Sequence, residues 1–222
     1  SEMCIRDSSK TERECVVSAV ELAEKAGFRE LTAGMALKAG DKVYSVNRGK
    51  SILLAVIGKK PLSEGANIGA AHTDAPRLDF KPNPLYEDAE LAYIKTHHYG
   101  GIRKYQWVTV PLELHGKIVR ADGSEIYVKI GADPEDPQFV INDLLPHLGG
   151  EQGRKPLNEA VPGETLNLLV GSRPIGDSED KDRVKLHVMK RLHDKYGITE
   201  SDFASAELEA VPAAEAVDIG ID

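Results

Sequence analysis

Cysteine and tryptophan are scarce in this chain of 222 residues, and its 28 basic residues are outnumbered by 36 acidic ones. Its two cysteines, Cys4 and Cys15, are too few for a disulfide framework and have the wrong pattern for a zinc site. No apolar run approaches the roughly 20 residues that span a bilayer, and no basic-then-apolar signal peptide is present. The formal net charge of −8 argues against nucleic acid or a membrane surface as a partner. These features favour a globular, cytoplasmic protein.

The first half of the chain predicts an α/β arrangement. Residues 1–8 show no periodicity, and part of this stretch resembles translated adapter sequence, so we interpret it as foreign to the protein. A capping-box pattern then begins a helix with Ser9 as its N-cap. Residues 51–57 are apolar on both faces, which predicts a central strand, paired with residues 42–46 through a hairpin turn. Residues 66–71 predict a further strand that delivers a histidine at its C-terminal end.

The second half is richer in β-structure. Residues 105–110 are aromatic and β-branched and predict a strand, while Asp122-Gly123 predicts a hairpin turn. Residues 184–196 carry apolar side chains at four-residue spacing, which predicts a helix closed by Gly197. Residues 205–211 alternate strictly, which predicts a half-exposed strand with its glutamates in solvent.

His72 and Asp74 are the strongest candidates for chemistry. In an extended backbone, residues i and i+2 project to the same face, so Asp74 can accept a hydrogen bond from one ring nitrogen of His72. The other nitrogen is then left for a metal, and the carboxylate fixes the tautomer and raises the basicity of the imidazole. The alternative is a polar loop after a strand, because a chain with seven histidines can contain His-x-Asp by chance.

The remaining histidine candidates give a weaker signal. Adjacent side chains of a strand face opposite ways, so at most one of His97 and His98 points into a site. Together with Tyr99 and Gly100, His98 could contact a substrate or a neighbouring subunit, although a polar strand end explains the same residues. His147 follows a proline in an apolar setting, which fits a hydrogen-bonded core or interface histidine.

Several segments, taken in order, resemble the M18 family of zinc aminopeptidases, the aspartyl aminopeptidase group. One such motif would be weak, but together they cover nearly everything from residue 9 onward. The matching segments are GDKVY at 40–44, NRGK at 47–50, AHTDAPRL at 71–78, KTHHYGGI at 95–102 with Trp107, DLLPHL at 143–148, and SAEL at 205–208 with Val211 and Pro212.

This resemblance implies an α/β fold in which a peptidase domain with a mixed sheet is interrupted by an inserted β-rich domain. The implied boundaries are residues 1–89 and 205–222 for the peptidase domain and 90–204 for the insertion, which would pair subunits and cap the active site. Members bind two zinc ions, cleave N-terminal residues from peptides, and assemble from dimers into dodecamers. In that template His72 is the first metal ligand and Asp74 its supporting carboxylate.

The resemblance also implies that the remaining ligands and the Glu that acts as general base lie beyond Asp222. A two-metal hydrolase needs several ligands and a base, so we expect the N-terminal portion of the enzyme, catalytically incomplete and produced by a truncated gene. Glu151 stands where eukaryotic members have a second histidine, so their preference for acidic residues does not transfer. Two alternatives remain: a non-catalytic oligomerisation module, and a single-metal site completed by Asp222 or His98.

Overall fold

The computed structural model describes residues 7–176 and 181–221, so Cys4 and most of the segment interpreted as foreign lie outside the described residues. The chain divides into two compact units: unit 1 comprises the residues up to 75 and those from 215 onward, and unit 2 comprises residues 76–214. Both units combine helices with strands, so the fold is mixed α/β. Among the described residues, no helix combines the length and apolarity needed to cross a bilayer.

The unit boundaries differ from the predicted domain limits after residues 89 and 204. Strand β4 (Arg77–Asp88) and strand β10 (Ala206–Pro212) fall inside unit 2. These two strands pair with each other, and each also pairs with a further strand of unit 2. A backbone that is hydrogen-bonded on both edges belongs to that sheet, whatever the composition of its sequence suggests.

Unit 1 begins with helix α1 (Glu12–Lys25), whose capping box is formed by Thr11 and Glu14 rather than by Ser9. Thr11 Oγ1 accepts from the Glu14 amide, and the Glu14 carboxylate accepts from the Thr11 amide at 3.1 Å. A three-stranded sheet follows in the order β1-β2-β3, formed by Arg29–Glu30, Lys42–Asn47 and Ser51–Val56. The β2–β3 hairpin around residues 48–50 confirms the predicted turn.

Two strand predictions for unit 1 are wrong. Among the described residues β3 is an edge strand rather than a central one, and Leu53 and Val56 are 60% and 61% exposed. Residues 65–76 contain no regular structure, although a strand was expected at 66–71. Apolar composition indicates which residues gain from burial, but a strand forms only where a partner strand supplies its hydrogen bonds.

Unit 2 contains, within the described residues, a seven-stranded sheet in the order β7-β6-β10-β4-β5-β9-β8. Its remaining strands are β5 to β9, formed by Leu91–Tyr99, Leu112–Val119, Glu125–Ile130, Val140–Ile141 and Leu168–Gly171. The two helices are α2 (Leu157–Ala160) and α3 (Arg183–Tyr196). Apolar side chains of alternate strand positions, including Leu78, Ile94 and Leu114, form one buried core with residues of α3.

Local signals in unit 2 were reliable except for one strand. The Asp122-Gly123 hairpin joins β6 to β7, and α3 ends at Gly197, whose φ of 66° is the left-handed conformation expected after a helix. Residues 105–110, however, form a short 3-10 segment and a turn instead of a strand. Their side chains still pack against the core, including Tyr105 and Trp107, so burial alone accounts for their apolar character.

Candidate metal site around His72

The segment that carries His72 is held to the rest of unit 1 through its neighbour Thr73. The Thr73 hydroxyl donates to the main-chain oxygen of Lys50 in the hairpin turn at 3.2 Å. The Lys50 ammonium in turn lies 3.4 Å from the carboxylate of Glu12 in helix α1. The Arg13 guanidinium donates to the main-chain oxygen of Arg48 in the same turn at 3.0 Å. Polar contacts therefore link the helix, the hairpin and the irregular segment, and they fix the position of the backbone that carries His72.

The structure brings His72 and Asp74 together. His72 Nδ1 lies 2.8 Å from the main-chain oxygen of Asp74 and 3.5 Å from its carboxylate oxygen Oδ1. Both groups accept, so Nδ1 carries the proton and donates, and Nε2 keeps its lone pair. The His72 side chain is 84% exposed and that of Asp74 is 32% exposed. An exposed imidazole with one nitrogen fixed and the other open is suited to bind a metal.

The described residues supply only one ligand at this place. Within residues 7–176 and 181–221 there is no group of three or more histidine, cysteine, aspartate or glutamate side chains that could hold a metal ion. Protein zinc sites use three or four protein ligands, so this chain's described residues do not by themselves fit a zinc ion. Of the residues expected to complete a single-metal site, Asp222 lies outside the described residues and His98 belongs to unit 2.

His97 and His98 lie at the end of β5, and their rings are neighbours. The ring centroids are 5.5 Å apart with an angle of 25° between the planes, so the expectation of opposite directions is wrong here. The His98 ring also approaches Gly163 so closely that a Cβ there would lie 3.2 Å away. The pKa of Glu164 is lowered by its hydrogen bond from Lys81 and, to a smaller degree, by the two imidazoles. This cluster is a polar surface of unit 2.

Tyr99, Gly100 and His147 occupy three different environments. The Arg77 guanidinium lies 4.2 Å from the centre of the Tyr99 ring, a cation–π contact. Gly100 has a φ of +82° and packs against Pro76, so its glycine is required by the backbone at the strand end. His147 lies exposed in a turn, which contradicts a place in the core because the flanking leucines are exposed as well. Its interface role stays a prediction.

A buried polar network in unit 2 was missed by the sequence analysis. His115 Nε2 lies 2.9 Å from Glu113, and the Arg77 guanidinium lies 2.7 Å from Asp79 and 3.3 Å from Glu209. Glu209, expected in solvent, is 5% exposed. The register places His115 and Asp79 opposite Glu209, on the two strands that flank β10. The alternation of charged and apolar residues in 112–119 was the available signal, but its burial depends on tertiary packing.

Comparison with known proteins agrees with the motif order. The family model described as aminopeptidase I zinc metalloprotease (M18) matches residues 6–222. The probable M18 family aminopeptidase 1 of Clostridium acetobutylicum is 53% identical over 217 residues, which cover 96% of this chain and 47% of that protein. The protein of the same description from Thermotoga maritima is 46% identical over 214 residues. The chain thus spans about half the length of the curated relatives it matches.

Solved structures give the same result for the fold. The crystal structure of the M18 family aminopeptidase from Thermotoga maritima superimposes with a TM-score of 0.92 at 44% identity, over 99% of this chain and 48% of that chain. The structure of aminopeptidase I from Clostridium acetobutylicum superimposes with a TM-score of 0.86 at 50% identity, over 96% and 48% respectively. The chain therefore belongs to the M18 family of aminopeptidases.

Proposed function

We propose that this chain contributes the first metal ligand, His72, and its supporting residue, Asp74, to an M18 aminopeptidase that removes N-terminal residues from peptides. The observation that carries the proposal is the contact of His72 Nδ1 with the main-chain oxygen of Asp74 at 2.8 Å. A metal-bound histidine usually donates its second ring nitrogen to a carboxylate or a backbone carbonyl. Asp74 offers both acceptors, and Nε2 is then the metal-binding atom.

The chain by itself does not hydrolyse peptides under this proposal. Hydrolysis at a zinc site needs further ligands and a group that accepts the proton of the attacking water. The described residues place one imidazole at the site, and a cluster of three potential ligands is not found among them. The zinc of the family, expected as two ions per site, would take this imidazole as one ligand, with the remainder supplied outside the described residues.

Complementation tests the role of His72 directly. The chain is co-expressed with the part of the Clostridium acetobutylicum relative that it does not match, and the purified complex is assayed for bound zinc and for cleavage of aminoacyl p-nitroanilides. We expect activity in the complex and none for the chain alone. His72→Ala abolishes activity and lowers the zinc content, and Asp74→Asn lowers activity less because its main-chain oxygen remains.

The matched control is His193→Ala, an exposed histidine of helix α3 in unit 2. If it lowers bound zinc as much as His72→Ala, the assignment of His72 fails. Tightly bound stoichiometric zinc together with turnover in the chain alone would show that the site is complete without the second part. Circular dichroism on every variant separates loss of a ligand from loss of folding.

We further propose that unit 2 corresponds to the inserted β-rich domain of the family and mediates self-association, first into dimers and then into dodecamers. Support comes from the turn that carries His147, where Leu144, Leu145 and Leu148 are 54%, 66% and 72% exposed. Exposed apolar side chains grouped on one turn are typical of surfaces that another protein covers. His147 would then be an interface residue rather than a core residue.

Light scattering after size exclusion measures this association. The double variant Leu145→Asp with Leu148→Asp reduces the apparent mass of the chain toward 24.2 kDa, because two carboxylates in the interface oppose burial. The control is Tyr127→Asp, since Tyr127 is 66% exposed on a different segment of unit 2. An unchanged mass in the double variant would move the interface away from this turn.

A further inference from the structure

Unit 2 contains a cavity of about 490 Å³ between helix α3 and the core face of the seven-stranded sheet. Its floor consists of the sheet residues Ile94, Leu114 and Ile130, which are between 2% and 6% exposed. Val188 and Leu192 of α3 form the opposite wall. At roughly 30 Å³ per water, this volume corresponds to about sixteen water molecules, the size of an apolar dipeptide. Eight of its thirteen lining residues are uncharged and five are charged; pockets of this volume that combine apolar walls with a small number of polar groups are typical ligand sites.

Five charged residues line the cavity. Three of them take part in ion pairs, and the other two do not among the residues that the structure describes. Lys195 lies 2.9 Å from Asp136. Asp194 lies 2.8 Å from Lys190, a residue outside the cavity. Within the part of the chain that the structure describes, no ion pair within 4 Å involves Glu135 or Arg191. Arg191 helps to lower the pKa of Asp194, but the largest cause of that shift is the hydrogen bond from Lys190.

From these features we propose that the cavity binds a zwitterionic dipeptide with apolar side chains. The apolar body lies on the floor, the ammonium group faces Glu135, and the carboxylate faces Arg191. A fatty carboxylate would match only Arg191, and an apolar amine would match only Glu135. This goes beyond the proposed function, because every residue that lines the cavity belongs to unit 2 and none belongs to the His72 segment.

The test uses the purified full chain and the probe leucyl-leucine, followed through the methyl NMR signals of Val188 and Leu192. We expect a saturable shift with a dissociation constant on the order of 0.1–1 mM. N-acetyl-leucyl-leucine and leucyl-leucinamide each lack one charge and bind about fivefold more weakly or worse. Glycyl-glycine lacks the apolar body and produces no saturable shift. Mass spectrometry of the recovered probe verifies that it stays intact.

Variants of two residues of helix α3 provide the decisive control. Arg191→Gln removes the preference for leucyl-leucine over its amide, while Lys185→Gln leaves that preference unchanged because neither Lys185 nor its ion-pair partner Glu200 lines the cavity. Glu135→Gln removes the preference over the acetylated probe. The proposal is overturned by the absence of saturable binding at about 10 mM, by equal binding of charged and blocked probes, or by identical behaviour of the two helix variants. Loss of binding in His72→Ala would instead place the dipeptide at the metal site.

Discussion

Helix α3 begins at a carboxylate that comes from a strand almost a hundred positions earlier in the chain. The amides of Val184 and Lys185 both donate to one oxygen of Glu87, each at 2.8 Å. The residue at the N-cap position, Asp182, has a left-handed backbone and makes no capping hydrogen bond with its side chain. Glu87 of β4 therefore satisfies two amides that the local sequence leaves without a cap. Its negative charge also lies at the positive end of the helix dipole.

Replacing Glu87 with alanine removes both acceptors. Loss of an N-cap costs about 1 kcal/mol and up to about 2, and an anion at a helix N-terminus contributes about 0.3–1 kcal/mol. Because Glu87 is half-buried, water replaces part of the loss, and we expect a destabilisation of about 1.5 kcal/mol. For a unit of this size, that lowers the melting temperature by about 6 °C. Glu87→Gln keeps an acceptor without its charge, so its effect should be about half as large.

Circular dichroism at 222 nm and urea unfolding measure the loss, and hydrogen exchange of the Val184 and Lys185 amides locates it at the start of α3. The control is Asp88→Asn, which removes an exposed carboxylate from the next position of β4. If Glu87→Ala unfolds at the same urea concentration as the control, or if the two amides keep their protection, capping by Glu87 is refuted.

Three further predictions concern other parts of the chain. Gly116→Ala should cost about 3 kcal/mol, the upper end of what overpacking costs, in urea unfolding, because its Cβ would overlap the main-chain oxygen of Glu207 and force β6 from β10. Gly150→Ala is the control, since nothing lies within 4 Å of a Cβ there, and equal stability of the two variants would contradict this. The pKa of Asp136 is lowered by a hydrogen bond from a lysine of α3. Its stabilisation is therefore complete above the unfolded pKa of about 3.9 and is lost as the pH falls through the lower folded value, so urea midpoints of Asp136→Asn should fall less between neutral and acidic pH than those of the parent. Leu53 is exposed on the edge strand β3, and a strand edge without a partner is a template for pairing with another chain. Leu53→Lys should therefore reduce the increase of particle size with concentration in dynamic light scattering; an unchanged size would show that this edge does not mediate association.

The candidate site was predictable from the sequence in its central pair but not in its surroundings. Residues 72 and 74 are close in sequence, so almost any backbone path keeps them within contact distance. Their residue types, histidine and aspartate, by themselves indicate a metal ligand and its hydrogen-bond acceptor. The strand expected to deliver His72 is absent, since no partner strand for residues 66–71 lies among the described residues. The main-chain oxygen of Asp74 also lies closer to His72 Nδ1 than its carboxylate does, a difference that depends on the local backbone geometry.

Features set by neighbouring residues were determined by the sequence itself. The hairpin at Asp122-Gly123 and the end of α3 at Gly197 depend on backbone conformations that these residues favour intrinsically. The order of motifs along the chain likewise identifies the family, because it depends only on residue types and their spacing. These signals need no knowledge of what lies across the sheet.

Tertiary structure alone decided burial and long-range contacts. The strict alternation of residues 205–211 predicted a solvated Glu209, but this residue is 5% exposed. Four consecutive positions of β10 are buried, so both faces of the strand are covered. The apolar strand β3 lies at an edge, and α3 receives its cap from Glu87 of β4. Propensity acts over a few residues, whereas burial and capping at a distance depend on which elements the whole chain brings together.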